Sequence, residues 1–485
     1  MRNTLLTLTL CITLLPAPAH AESDLQLPDL GGTTGALSLS EEKALGKEFM
    51  QAARGGLNIM QDGQIKDYLQ RMGYRLLEHM NPPFANYQFI LIKDPNINAF
   101  AAPGGYVVIN SGLVLAADNA SELASVIAHE LAHINQRHIS RAIDESQRMQ
   151  WPMLAAMLAS ILLSATAGGQ AGQAAMSAST AYGIQNQLQF SRDFEREADR
   201  IGIRALASAG FDPAGMPSFF EKLQNWNRLQ GGSPMEFLST HPLTLDRIAD
   251  TRNRAEQLTV KQPDPGLDRD FARFKTRVRA LSIPSNEAVS FFRIQASSQN
   301  SYQKELGIYG LGMALAQKGQ YREAIAQLEQ LNDLHPGVFE YQAALAGTLL
   351  DSGKYQPALK AFRQIQRAYP NSGLARAGLA QALLESGDGQ NAANLARQLA
   401  GEHPHNAEYQ QLLARALEKV GNKPDAHRAL AEYYFLTGAL PSAIQQLEIA
   451  RSMSGNDVKV QAAINARLTE MKRTGKTQAK NQDST

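Results

Sequence analysis

The sequence predicts a mainly α, α+β protein: a helix-rich domain containing one small β-sheet, followed by an α-helical repeat superhelix. Two observations carry this. Residues from about 300 to 470 repeat at a fixed period, whereas residues 39–280 mix helical periodicity with a single strand-like run. A chain of 485 residues exceeds what one core accommodates, so more than one domain is expected. Hydrophobic content of 44% and charged content of 19% are those of a folded protein and exclude wholesale disorder. The net charge of +1, with no long basic stripe, argues against nucleic acid as a partner.

The first element reads as an export signal over residues 1–21. Arg2 supplies a positive start, Leu5 to Leu15 is too short an apolar stretch to anchor in a bilayer, and Ala19-His20-Ala21 offers a small-x-small cleavage pattern. The only cysteine, Cys11, would leave with this segment, and Leu10 before it argues against lipidation. The mature chain is therefore expected to hold no disulfide. Residues 22–38 are polar and punctuated by Gly and Pro, a loose leader.

Within 39–280, Asn98-Ala99-Phe100-Ala101-Ala102 precedes a Pro103-Gly104-Gly105 turn and Tyr106-Val107-Val108-Ile109. This pattern predicts a hairpin. If residues 98–102 form an exposed edge, an extended substrate can add its backbone there, which makes Ala101 and Ala102 candidate substrate-binding residues. Asn119-Ala120-Ser121-Glu122 then looks like a capping box opening a helix through Leu123, Val126, Ile127, Leu131 and Ile134. His129 and His133 lie one turn apart on that helix, a spacing that lets two imidazoles converge on one zinc ion. Glu130, one step round, is placed to take a proton from an attacking water and pass it to the leaving amine. His138, five residues past His133, falls off this face and reads as a solvated helix residue.

No charge occurs between Trp151 and Ser191, and Met153 to Ala167 is strongly apolar but short of a membrane span. A buried helix, a segment touching the membrane surface (151–180) and a mobile flap remain open readings. Asp193 to Arg200 then reads as a helix on which Glu195 and Asp199 share a face. Glu195 is the candidate third metal ligand. Asp199 is the candidate orienting a ligand histidine through its other ring nitrogen. Without the histidine motif, the same run would read as a solvated face with Glu–Arg pairs.

The repeat can be read residue by residue. Gly319, Gly353, Gly387 and Gly421 stand 34 residues apart, as do Ala324, Ala358, Ala392 and Ala426, and Pro336, Pro370 and Pro404. Gly438 and Ala443 repeat the Gly-to-Ala spacing after half a period, so four to five helical hairpins are expected. The unit resembles the tetratricopeptide repeat, whose stacked array offers a groove for partners. His335, His403 and His405 fall at repeat ends as turn residues, and 471–485 reads as a disordered tail.

His129-Glu130-x-x-His133 followed by Glu195-x-x-x-Asp199, with the run 98–109 before it, is similar to the gluzincin zinc peptidases that include HtpX and the CAAX prenyl proteases. Unlike them, this chain shows no set of membrane-spanning segments, so their membrane-embedded chemistry does not carry over. With the export signal and the repeats, the resemblance extends over nearly the whole mature chain. It points to a periplasmic branch of the family that promotes assembly of outer-membrane β-barrel proteins and degrades misfolded ones. It implies one Zn2+ per chain, misfolded or stalled outer-membrane proteins as clients, and the barrel-assembly machinery as a partner of the repeats. It also implies that His241, in Ser239-Thr240-His241-Pro242, lies on a loop over the site and can fill the zinc's fourth position. A histidine binding the oxyanion and a structural turn histidine are the alternatives. Arg247 is a candidate for binding substrate or a ligand-side carboxylate, or for a surface ion pair. A chaperone or adaptor with a silent metal site is the competing function; the intact Glu130 favours the enzyme.

Overall fold

The computed structural model describes residues 37–145, 192–229, 236–260, 264–455 and 457–483. The segments expected as an export signal and most of the leader, and the uncharged 151–191 tract, lie outside the described residues. Among the described residues, no helix is long and apolar enough to cross a membrane.

The first half is built round one helix. Helices α1 (Leu39–Gly56) and α2 (Gly63–Leu77) precede strands β1 (Gln88–Ile92), β2 (Ala99–Ala102) and β3 (Tyr106–Asn110). The sheet order is β1-β3-β2, with β3 parallel to β1 and antiparallel to β2. The expected hairpin thus forms, Ala102 opposite Tyr106 and Ala99 opposite Ile109, and β2 has one strand neighbour. After the short α3 (Ser111–Ala116) comes α4 (Ala120–Asn135), buried along nearly its whole length. Its apolar residues, from Leu123 and Val126 to Leu131 and Ile134, are buried together with its polar ones, so α4 lies at the centre of the domain. Around it stand α5 (His138–Glu145), α6 (Arg192–Ser208), α7 (Gly215–Leu229), α8 (Glu236–Thr240) and α9 (Leu245–Gln257).

Helix α10 (Gly266–Ser282) belongs to both halves: Phe271, Phe274 and Val278 join the core around α4, while Ala280 joins the first core of the repeats. The array continues through α11 (Ser285–Ala296), α12 (Ser301–Gln317), α13 (Tyr321–Leu334), α14 (Phe339–Asp351), α15 (Tyr355–Ala368), α16 (Gly373–Glu385), α17 (Gly389–Glu402), α18 (Ala407–Lys419), α19 (Lys423–Leu436) and α20 (Leu440–Met453). Each hairpin from α12 to α19 turns the same way. The repeat glycine has φ between +76° and +95°, and the next residue's N–H reaches back to the helix, as from Lys354 to the Leu349 carbonyl at 2.9 Å. That left-handed stop is the helix terminator glycine permits at least cost. The φ of +87° at Gly438 repeats this turn between α19 and α20, the half-period echo seen in the sequence. Ala324, Ala358 and Ala392 are fully buried where paired helices close on each other.

The last helix, α21 (Val458–Asp483), runs through the stretch expected as a disordered tail. Its Lys, Gln, Ala and Arg residues have high helix propensity and no proline interrupts them, so low hydrophobicity alone does not break it. The array bends back onto the first half: Lys66 pairs with Glu408 at 3.4 Å, and Lys47 sits 4.3 Å from the Phe435 ring centroid. Asp62 before α2 is gripped by Arg277 of α10 at 2.7 Å, and Arg277 also donates to the Tyr309 hydroxyl at 3.1 Å.

Candidate active site

Helix α4 begins where the sequence places it, but with half a capping box. The Asn119 side chain accepts from the Glu122 N–H at 2.9 Å. The Glu122 carboxylate does not return the bond to Asn119. It accepts from the Asp118 N–H at 2.7 Å, the Ser218 hydroxyl at 2.9 Å and Lys222 at 2.6 Å. Burial among these donors is the reason: a carboxylate satisfied by a lysine and a hydroxyl need not close on its own cap. This anchors α7 to the start of α4.

Helix α6 crosses α4 at Gly202, where an added Cβ would lie 3.2 Å from the backbone at Ala128 and His129. The absence of a side chain lets the two backbones approach, and Glu195 and Asp199 then face the two histidines. Glu195 Oε1 is 3.3 Å from His133 Nε2, its Oε2 is 3.5 Å from His129 Nε2, and the two histidine Nε2 atoms are 3.0 Å apart. His241, directly after α8, brings its Nδ1 to 3.0 Å from Glu195 Oε1 and 3.3 Å from His129 Nε2. The four donor atoms of His129, His133, Glu195 and His241 lie within 4.8 Å of one another, all buried.

This donor set fits a metal ion. Bonds of about 2.0–2.1 Å in tetrahedral array put ligand atoms about 3.3–3.4 Å apart. Neighbouring donor atoms 3.0–3.5 Å apart match, and three imidazole nitrogens with a carboxylate are the ligand types a borderline-soft divalent ion takes.

Asp199 is placed as the sequence suggests, its Oδ1 3.0 Å from His129 Nδ1 on the far side of that ring. Arg247 is no surface residue. It is buried and grips Asp199 through Nε and Nη2 at 2.7 and 2.8 Å, touches Glu195 Oε2 at 2.7 Å, and donates to the Pro242 carbonyl at 2.8 Å. It therefore ties the His241 segment to both carboxylates of α6. Ala101 and Ala102 of β2 are buried, and the Ala101 backbone amide acts on Glu130. Glu130 is fully buried with His241 Nε2 at 3.5 Å.

Electrostatics follow this geometry. Burial pushes the Glu130 carboxyl up, with His241 and His129 opposing. Burial also opposes charge on Glu195 and Asp199, but it is outweighed. His241 and the two motif histidines hold Glu195 well below its usual range, and Arg247 holds Asp199 below its own. Burial disfavours the charged form of His129, yet hydrogen bonds with Asp199 and Glu195 carry it up to about 10. Burial wins at His133, which falls well below the ordinary value.

His138 departs from its expected place. It is fully buried, with Nδ1 2.8 Å from His133 Nδ1 and Nε2 3.1 Å from Glu197 Oε2. Helical periodicity failed because α4 stops: Arg137 takes φ +53°, the only non-glycine residue with positive φ among those described, and redirects the chain under His133. Glu197, off the Glu195–Asp199 face, serves this second contact. His138 itself was visible in the sequence five residues from His133, but no residue pattern announces a left-handed arginine. His335 and His403 cap the C-termini of α13 and α17.

A carboxylate held between two converging imidazoles, in a helical domain joined to a solenoid, defines a metallopeptidase with a repeat domain. Residues 64–255 match the model of peptidase family M48, and residues 309–373 and 349–416 match tetratricopeptide-repeat models. The putative beta-barrel assembly-enhancing protease of Vibrio cholerae is 35% identical over 346 residues, covering 70% of each chain. The beta-barrel assembly-enhancing protease of Escherichia coli K12 is 34% identical over 338 residues, covering 69% of each. The mitochondrial metalloendopeptidase OMA1 of Arabidopsis thaliana is 32% identical over 157 residues, covering 32% of this chain and 29% of its own. The chain belongs to peptidase family M48 and, within it, to the family of beta-barrel assembly-enhancing proteases.

Proposed function

We propose that this metallopeptidase is a periplasmic zinc endopeptidase, exported with cleavage near Ala21. In this reading it degrades misfolded or stalled outer-membrane proteins and promotes assembly of the rest, with the repeat array engaging the barrel-assembly machinery. The convergence of His129, His133 and Glu195 beside the fully buried Glu130 carries the reading. The names of the relatives in Vibrio cholerae and Escherichia coli support the barrel-assembly role.

His129, His133 and Glu195 would hold the zinc, with Asp199 orienting His129. Bound there, the ion supplies a Lewis acid that polarises the scissile carbonyl and lowers the pKa of an attacking water. Glu130 accepts that water's proton on its carboxylate and delivers it to the leaving amine; burial raises its pKa toward the range a proton shuttle needs. The edge of β2 away from β3 would receive substrate as an added strand at Ala101 and Ala102, and main-chain pairing tolerates clients of many sequences. His241 would be a further ligand to the ion and would have to move away for substrate to enter, which makes the segment from α8 to His241 the guard of the site.

Glu130→Gln is expected to keep its zinc, measured by metal analysis of the purified protein, and to lose cleavage of an unfolded substrate by about 100-fold or more. Undiminished cleavage would remove the reading. His241→Ala is expected to raise the rate on the same substrate, because it frees the fourth position. A rate that falls or stays level would eliminate the guard.

A further inference from the structure

Behind His133, on the side away from the other donors, runs a second polar chain. Its Nδ1 lies 2.8 Å from His138 Nδ1; His138 Nε2 lies 3.1 Å from Glu197 Oε2; and that oxygen also accepts from Arg141 Nη1 at 2.9 Å. The His138 ring is stacked on Phe194 with centroids 4.5 Å apart and planes 8° from parallel, and the Arg141 guanidinium lies over the same Phe194 ring at 4.5 Å. The position is built by strain. Arg137, at φ +53°, is held by its Nε bond to Glu42 at 2.7 Å and by a bond from its guanidinium to the Leu37 carbonyl. A non-glycine residue in that region is strained and persists only where its surroundings over-determine it.

With both imidazoles neutral, these contacts assign the hydrogen-bond roles in the chain. A neutral imidazole carries one N–H and one lone pair, while a carboxylate only accepts. Glu197, paired with Arg141, therefore takes the proton of His138 Nε2. His138 Nδ1 is left as an acceptor, and at 2.8 Å from it His133 Nδ1 must donate. The lone pair of His133 then sits on Nε2, the atom facing His129 and Glu195. On His129 the corresponding nitrogen, Nδ1, faces the Asp199 carboxylate directly at 3.0 Å.

We propose that His138 and Glu197 are positioning residues that fix the tautomer and ring orientation of His133, so that the metal centre rests on two unlike supports. His129 leans directly on a carboxylate, and His133 leans on a carboxylate through a second imidazole. This rests on the reading of His129, His133 and Glu195 as metal ligands.

The test is Zn2+ affinity of the full chain, measured by competition with a chromophoric chelator, with thermal unfolding of the metal-free proteins followed alongside. His138→Leu fills the slot but accepts no hydrogen bond, and is expected to bind Zn2+ about 10–100-fold more weakly. His138→Asn places a carbonyl oxygen where Nδ1 stood and is expected to recover most of that loss, although it is smaller and packs worse against Phe194. Glu197→Ala, at a partly exposed side chain, is expected to weaken binding about 3–10-fold and serves if His138→Leu does not fold. Unchanged affinity in His138→Leu or Glu197→Ala, or an asparagine variant no better than leucine, would overturn the relay. A wild-type chain that binds no Zn2+ would instead sink the metal-centre reading beneath it.

Discussion

The peptidase half buries charge where the repeat half buries alanine. Around α4, His129, Glu130, His133, Glu195, Asp199, His241 and Arg247 are all at most 5% exposed, and the charges of Glu195 and Asp199 are held there by the histidines and Arg247. In the array, Ala324, Ala358 and Ala392 close successive hairpins with no polar atom of their side chains to satisfy. The first arrangement concentrates its energetics in a few mutually dependent groups, since desolvation costs several kcal/mol per ion and is recovered only through partners. The second spreads stability over near-equivalent interfaces between neighbouring repeats. One substitution should therefore fracture the first half, and merely loosen the second.

Arg247→Met breaks that contrast open most widely. It leaves Asp199 and Glu195 facing each other across a buried site without their shared cation. The expected cost is about 3–5 kcal/mol, read from chemical unfolding at neutral pH. The sign with pH is fixed by Asp199. Burial raises its pKa, but Arg247 dominates and depresses it below the ordinary value. Its stabilising contribution is thus fully present above the unfolded-state value of about 3.9 and is lost as pH falls through the lower folded value. The stability gap between wild type and Arg247→Met should be widest at neutral pH and narrow below pH about 4. A gap that stays constant through that range would show that packing against Phe220, 5.2 Å away, and not charge, is what Arg247 supplies.

The same contrast decides what was legible in the sequence. The array was readable because one local rule repeats: a glycine turn, a small residue five positions on, a proline at the end. In the peptidase half, what α4's own spacing dictates was readable too, including the convergence of His129 and His133. Glu195 and Asp199 were placed because a helix puts residues four apart on one face. What could not be read depends on chain crossings. Nothing local says that Arg247 turns inward to Asp199, that Glu122 bonds Ser218 and Lys222 of α7 instead of its own cap, or that Arg137 adopts a left-handed conformation.

Two glycine-to-alanine changes sharpen the comparison because the chemistry is identical and only the surroundings differ. At Gly202 the backbone is ordinary, but the new methyl would meet the α4 backbone at 3.2 Å. The helices must separate by a few tenths of an ångström, and the atoms that give way are those carrying His129. Gly202→Ala is expected to cost about 1–3 kcal/mol and to weaken Zn2+ binding measurably in the chelator assay. Unaltered zinc affinity would mean that α6 shifts as a rigid body with its carboxylates in step.

At Gly353 the balance runs the other way. Nothing lies within 4 Å of an added Cβ, but the residue sits at φ +76°. Alanine there pays about 1–2 kcal/mol for the left-handed conformation, offset by about 0.4–1 kcal/mol from the narrower unfolded ensemble. The net loss should be about 1 kcal/mol, the smallest effect considered, with zinc affinity and cleavage of an unfolded substrate both unchanged. The peptidase site sits on the other side of the junction formed by α10, and a turn that keeps its Lys354 to Leu349 bond leaves the neighbouring repeats in register. If Gly353→Ala did alter cleavage, the array would be acting on the catalytic half through its contacts with α1 and α2, such as Lys66 with Glu408, and the two halves would be one mechanical unit despite their different construction.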